Sequence, residues 1–166
     1  LAITPQVGKQ ILKRLKFRKN KKIISFISTI KLNELRLITR NKNITRVIPL
    51  PFIGMKTGPI IISPADKRLK NFFSHLGTVV EIKNENLSKG FWATSSFMAS
   101  FYNLIFVTSN WLQSKGIKKK EAEKYSRELF YALSADSLNK KNVTLKKLVK
   151  DSQTPGGTNA AVINDL

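Results

Sequence analysis

Thr154-Pro155-Gly156-Gly157-Thr158-Asn159 stands just beyond two strongly helical segments and just before the start of a third. Proline fixes φ and the two glycines free the backbone, so peptide N–H groups can gather at the start of the following helix. Unpaired N–H groups at a helix N-terminus attract a carboxylate or a phosphate, and Thr158 and Asn159 add a hydroxyl and an amide at the same place. Such residues also dominate ordinary turns, so a connection that binds nothing is the competing reading.

Working back from that loop, Leu145–Asp151 and Lys119–Asn139 carry helical patterning, the latter with Ala122, Tyr125, Leu129, Phe130 and Leu133 on one face. Gly116-Ile117 separates them from Gly90–Ser114, which contains no charged residue. The apolar positions there, from Phe91 and Trp92 to Trp111 and Leu112, cover most of a helix surface. Such a helix is expected in a large core, a subunit interface or a bilayer. Eight Ser, Thr and Asn residues from Thr94 to Asn110 interrupt the stretch and argue against a membrane span.

Residues before Ile82 read differently. Leu1-Ala2-Ile3 resembles the tail of a buried strand, and Pro5 opens a helix carrying Val7, Ile11, Leu12 and Leu15. Lys22–Ser28, Ile44–Ile48, Ile60–Ile62 and Thr78–Ile82 are β-branched strand candidates, with short helices around Leu32–Ile38 and Asp66–His75. This alternation predicts an α/β layer with mainly parallel pairing. The expected division is an α/β part over residues 1–84 and an all-helical part over residues 85–166.

The chain of 166 residues, 42% hydrophobic with ten Phe and two Trp, is long enough for a packed core. With no cysteine and a single histidine, His75, thiolate chemistry and His-based metal clusters are excluded, and a Ser-His-Asp arrangement has little support. The formal charge of +20 is uneven: Glu34 is the only acid before Asp66, while Lys and Arg crowd Lys9–Arg46. Nucleic acid, anionic lipid or phosphorylated ligands would be drawn to such a face, although lysine-rich solvated surface accounts for it equally. No zinc-ligand set, helix-turn-helix spacing or RNP-type strand accompanies the charge.

These features together resemble the pyrroline-5-carboxylate reductase family. Thr154–Asn159 is similar to that family's Ser-Pro-Gly-Gly-Thr-Thr loop, Ala2-Ile3-Thr4-Pro5 to its Ala-Val-Lys-Pro, and Arg46-Val47-Ile48-Pro49-Leu50-Pro51 to its Arg-x-Met-Pro-Asn-Thr-Pro. Thr94-Ser95-Ser96 falls where Ser-Gly-Ser opens the long dimerisation helix. The resemblance implies the C-terminal part of a Rossmann-type NAD(P)-binding domain, followed by a helical domain that makes a homodimer or higher homo-oligomer. It implies a cytoplasmic enzyme passing a hydride from NADPH or NADH to a cyclic imine carboxylate, pyrroline-5-carboxylate giving proline. On this reading the substrate carboxylate rests on Thr154, Gly156, Gly157, Thr158 and Asn159. Thr94 or Ser96 stands by the imine nitrogen, and the nicotinamide lies near Thr4, Pro5, Ser28 and Pro49. No Gly-x-Gly-x-x-Gly occurs, so the first βαβ unit is expected to precede Leu1. Leu50, Ser95, Met98 and Phe106 depart from the family pattern on the active-site side. A catalytically inactive oligomerisation paralogue and a basic nucleic-acid-binding module are the alternatives.

Overall fold

The computed structural model describes residues 1–18 and 20–164. The chain packs as two compact units, one from Leu1 to Ser95 and one from Ser96 onward.

The first unit is built on a four-stranded sheet of β1 (Ile23–Ser25), β2 (Ile44–Pro49), β3 (Pro59–Ser63) and β4 (Thr78–Glu81), in that spatial order. β1 pairs parallel with β2 and β3 parallel with β4, whereas β2 and β3 are antiparallel. Parallel pairing thus predominates, with one reversal. The reversal follows from connection length: residues 50–58, containing the 3₁₀ turn Pro51–Met55, are fewer than the roughly dozen residues a parallel crossover requires. Lys56 at φ 53° and Gly58 at φ 85° turn the chain back.

Helices cover both faces of this sheet. α1 (Pro5–Arg14) and α2 (Leu32–Thr39) lie over Ile23 and Ile44, where Leu12 and Leu35 are fully buried. α3 (Lys67–Phe73) packs Leu69 and Phe73 against Val47, Ile60 and Ile62 on the opposite face. Asp66 starts α3 by accepting the Leu69 amide at 3.0 Å, the usual role of an N-cap carboxylate. Its second oxygen takes the Lys22 ammonium at 2.6 Å. His75, beyond the end of α3, is exposed. The β1 ladder is shorter than the Lys22–Ser28 run suggests, because the Ser25 hydroxyl accepts the Ile27 amide at 3.3 Å and turns the chain out of register.

The expected long apolar helix is two helices, α4 (Ser88–Ser95) and α5 (Phe97–Ser114). The break at Ser96 follows Thr94 and Ser95, whose hydroxyls donate to the carbonyls of Gly90 and Phe91 four residues back, at 3.0 and 2.8 Å. Back-bonding of this kind bends helices.

In the second unit, α5 and α6 (Lys119–Asn139) form a hairpin through Gly116 at φ 90°. Small residues let the two backbones approach: Ser109, Ala122 and Ser126 are buried, and Phe101 meets Phe130 edge to face at 5.8 Å. α7 (Leu145–Asp151) and α8 (Thr158–Asn164) follow. Most large apolar side chains of this unit point outward. Phe97, Tyr102, Phe106, Trp111, Tyr131 and Leu138 are each more than half exposed in the single chain.

Candidate functional site

Leu1 pairs with the edge of β1. Its nitrogen donates to the Ile24 carbonyl and its carbonyl accepts the Phe26 amide, the slanted pattern of a parallel ladder opposite Ser25. Ser25 in turn is in register with Arg46. Leu1, Ser25 and Arg46 therefore lie abreast, and three residues further along each chain come Thr4, Ser28 and Pro49. Ser28 and Pro49 thus both follow the carboxyl ends of parallel strands, the edge where open α/β sheets place their ligands, and Thr4 follows the segment that pairs at Leu1. Thr4 is the residue before α1, and its carbonyl accepts the Gly8 amide at 2.9 Å while its side chain caps nothing. Pro5 is the first residue of α1, Ser28 is half-buried beyond β1, and Pro49 closes β2.

Directly beneath that edge lies a group that patterning did not single out. Arg46 is 2% exposed, flanked in register by Ser25 on β1 and Ser63 on β3, both buried. The two serines leave the guanidinium room on the sheet face. Its Nη1 donates to Glu85 Oε1 and its Nη2 to the Ile30 carbonyl. Glu85, from the 3₁₀ turn before α4, also accepts the Leu32 amide at 2.9 and 3.1 Å and so caps α2. Burial pushes the Arg46 pKa down, and the adjacent Glu85 carboxylate pulls it back up. The guanidinium carbon sits 5.8 Å from the centre of the Trp92 ring, within cation–π reach. A visible signal existed: a lone arginine inside the β-branched run Ile44–Ile48 must find a carboxylate if the strand is central.

Thr94 and Ser96 are both exposed, Thr94 on the last turn of α4 and Ser96 at the head of α5. The Thr94 hydroxyl must swing off the Gly90 carbonyl to donate elsewhere, while keeping a lone pair to accept.

The Thr154–Asn159 loop is a tight turn onto α8. Gly156 takes φ 71°, a conformation that favours glycine. The Gly157 amide donates to the Thr154 carbonyl at 2.8 Å, so it is closed to an anion. The next three amides, of Thr158, Asn159 and Ala160, have no hydrogen-bond partner among the described residues. The Asn159 side-chain amide donates to the Ser152 carbonyl at 2.8 Å and fastens the loop to the end of α7. The anion-binding potential of the turn therefore sits one residue later than the glycine pair.

Among the described residues no group of His, Cys, Asp and Glu could hold a metal ion, and no helix is long and apolar enough to cross a membrane.

No protein-family model and no curated protein matches the sequence. Solved structures do. The 1-pyrroline-5-carboxylate reductase of Streptococcus pyogenes is 23% identical with a TM-score of 0.82, covering 100% of this chain and 66% of its own. The pyrroline carboxylate reductase of Plasmodium falciparum, solved with NADP bound, is 18% identical at TM-score 0.82 and covers 99% of this chain and 70% of its own. The Coxiella burnetii pyrroline-5-carboxylate reductase gives 19%, 0.82, 99% and 65%. The chain has the fold of these reductases, an α/β sheet unit followed by helices, and spans about two thirds of their length.

Proposed function

We propose that this chain is the larger part of an NAD(P)H-dependent reductase of a cyclic imine carboxylate, with pyrroline-5-carboxylate reduced to proline as its reaction. What supports the reading is the fold, that of pyrroline-5-carboxylate reductases, together with Ser28 beyond the end of β1 and Pro49 at the end of its parallel neighbour β2.

A bound NADPH or NADH supplies the hydride, and the residues present fit its nicotinamide end. Thr4 and Ser28 offer hydroxyls, and Pro49 presents no donor that would need another partner. The dinucleotide phosphates need a glycine-rich turn that these residues do not contain. The substrate carboxylate is received by the open amides of Thr158, Asn159 and Ala160, helped by the Thr158 hydroxyl. The Thr94 hydroxyl, turned from the Gly90 carbonyl, hydrogen-bonds at the imine nitrogen, and Ser96 offers the second hydroxyl there. These side chains orient and polarise; the transferred hydride needs no strong side-chain acid. The exposed aromatic surface of α5 and α6 is covered by a second copy of the chain, making a homodimer.

The test is NAD(P)H oxidation by the full-length protein supplied with pyrroline-5-carboxylate. Turnover is expected, and Gly157→Val is expected to raise KM about ten- to a hundredfold, since charged-acceptor hydrogen bonds contribute roughly 1.5–3 kcal/mol. A Cβ at Gly157 would stand 3.0 Å from the Thr154 carbonyl oxygen and displace the turn. The absence of turnover with any cyclic imine, together with no binding of a nicotinamide dinucleotide, overturns the assignment.

A further inference from the structure

The two parallel strands β1 and β2 begin beside a cluster of unmatched cations. They start in register at Ile23 and Ile44, so the segments before them, residues 15–22 and 40–43, lie at the amino edge, opposite Ser28 and Pro49. The buried side chain of Asn41 ties these segments together. Its amide donates to the Arg18 and Lys21 carbonyls at 3.1 and 2.9 Å, and its oxygen accepts the Asn43 amide at 2.7 Å. Arg18 and Lys21 are thereby held beside Arg40 and Lys42, and all four are exposed. Arg36, one turn back on α2, joins Arg40 and Lys42 along an open groove of about 630 Å³.

Like charges gathered this way repel one another, and a counter-charge is needed. The sheet unit does not supply it. Asp66, which follows β3, is taken by Lys22, and Glu81, at the end of β4, by Lys70. None of the five cations forms an ion pair among the described residues. Arg36 gives one N–H to Asn33 Oδ1 at 2.9 Å and keeps the rest of its fork. Residue type narrows the partner. Three of the chain's seven arginines stand in this cluster but only two of its 23 lysines, which lysine-filled solvated surface does not account for. Guanidinium forks match phosphate oxygens in pairs. Single strands are held largely by stacking on aromatic rings, and the one ring in these segments, Phe17, packs against the core. A duplex held by its phosphates needs no such ring.

We propose that the amino edge of the sheet unit is a docking surface for a nucleic-acid duplex, gripped through its phosphates by Arg18, Lys21, Arg36, Arg40 and Lys42. The grip is on the backbone, so base sequence is not read. The surface lies away from Ser28 and Pro49, so the inference goes beyond the reductase reading and does not rest on it.

The test is fluorescence anisotropy of a labelled DNA duplex of about 20 base pairs, titrated with the full-length protein at several salt concentrations. A Kd on the order of 10 μM is expected at roughly 150 mM salt. Five phosphate contacts give a slope of log affinity on log salt of about −4.5, a loss of roughly 500-fold between about 50 and 200 mM. Arg40→Gln with Lys42→Gln is expected to weaken binding about tenfold and to flatten the slope by about 2. Arg18→Gln with Lys21→Gln should do the same, so the outcome does not hang on how one pair tolerates substitution. Lys146→Gln with Lys150→Gln removes as much charge from exposed positions of α7 and is expected to change nothing. Equal losses in all three variants would mean attraction by total charge alone, which overturns the proposal. A matched single strand bound as tightly as the duplex overturns it too, as does absence of binding at roughly 100 μM protein in about 50 mM salt. Phosphatidylserine vesicles that bind the wild type but not the two edge variants, with no duplex binding, would assign the surface to a membrane instead. Each negative result leaves NAD(P)H oxidation free to succeed.

Discussion

The two units handle their apolar surface in opposite ways. The sheet unit closes on itself: Leu12, Leu35, Ile60 and Ile62 are fully buried within one chain, and even its interior arginine finds a carboxylate. The helical unit buries little more than Ser109, Ala122 and Ser126 along the α5–α6 seam and leaves its aromatics outside. Secondary structure alone therefore does not make a core. A sheet with helices on both faces encloses volume, whereas a helix hairpin offers one narrow seam and needs another surface for the rest.

The contrast breaks most sharply at Glu85. Removing its carboxylate strands the Arg46 charge inside the sheet unit and leaves α2 uncapped, so Glu85→Ala is expected to lose about 3–5 kcal/mol in urea unfolding. A loss under about 1 kcal/mol would mean that the pair does not hold this core.

Next comes the outward face of the helices. For the proposed homodimer, Phe106→Glu with Trp111→Glu is expected to cost self-association about 2–4 kcal/mol, seen in sedimentation as a shift from dimer to monomer. Leu37→Glu, on an exposed position of α2, is expected to change neither mass nor stability by more than about 0.5 kcal/mol. If the double variant sediments like the wild type, the helical surface is not the one that pairs.

A smaller effect is carried by Asp66. The hydrogen bond from Lys22, reinforced by the Leu69 amide, holds its carboxyl below the usual range. A lowered folded pKa contributes stability that is present above the unfolded value of about 3.9 and is lost as pH falls through the folded one. Asp66→Ala is expected to cost about 1 kcal/mol near neutrality, and the gap between the two melting curves should close as the pH drops below about 4. A gap that persists in acid would assign the effect to something other than the charged cap.

The smallest expected change lies in the helical unit, at the exposed start of α7. The Thr144 hydroxyl accepts the Lys147 amide at 3.2 Å, and Thr144→Ala should lower thermal stability by about 0.5 kcal/mol.

Much of the helical unit was legible because helices announce themselves locally. Lys119–Asn139 and Leu145–Asp151 have the bounds their patterning gives, since each helical hydrogen bond joins residues four apart and is insensitive to the remainder of the chain. The strands were found but not their directions: β-branched runs do not record which way a neighbour points, so the β2–β3 reversal emerged only from the short connection. Of the candidate site, the turn at Gly156-Gly157 was readable, but which amides stay open was not, because the Thr154 carbonyl takes the one at Gly157.

What the residues determined unaided was the order of elements, the change of character between the two halves, and the places where glycine and proline bend the chain. These are properties of neighbours in sequence. The folded chain decided the alignment of Leu1, Ser25 and Arg46, and the meeting of Arg46 with a carboxylate 39 positions away. The physical reason is that burial creates the demand for a partner, and burial is a property of the whole sheet face rather than of any single stretch.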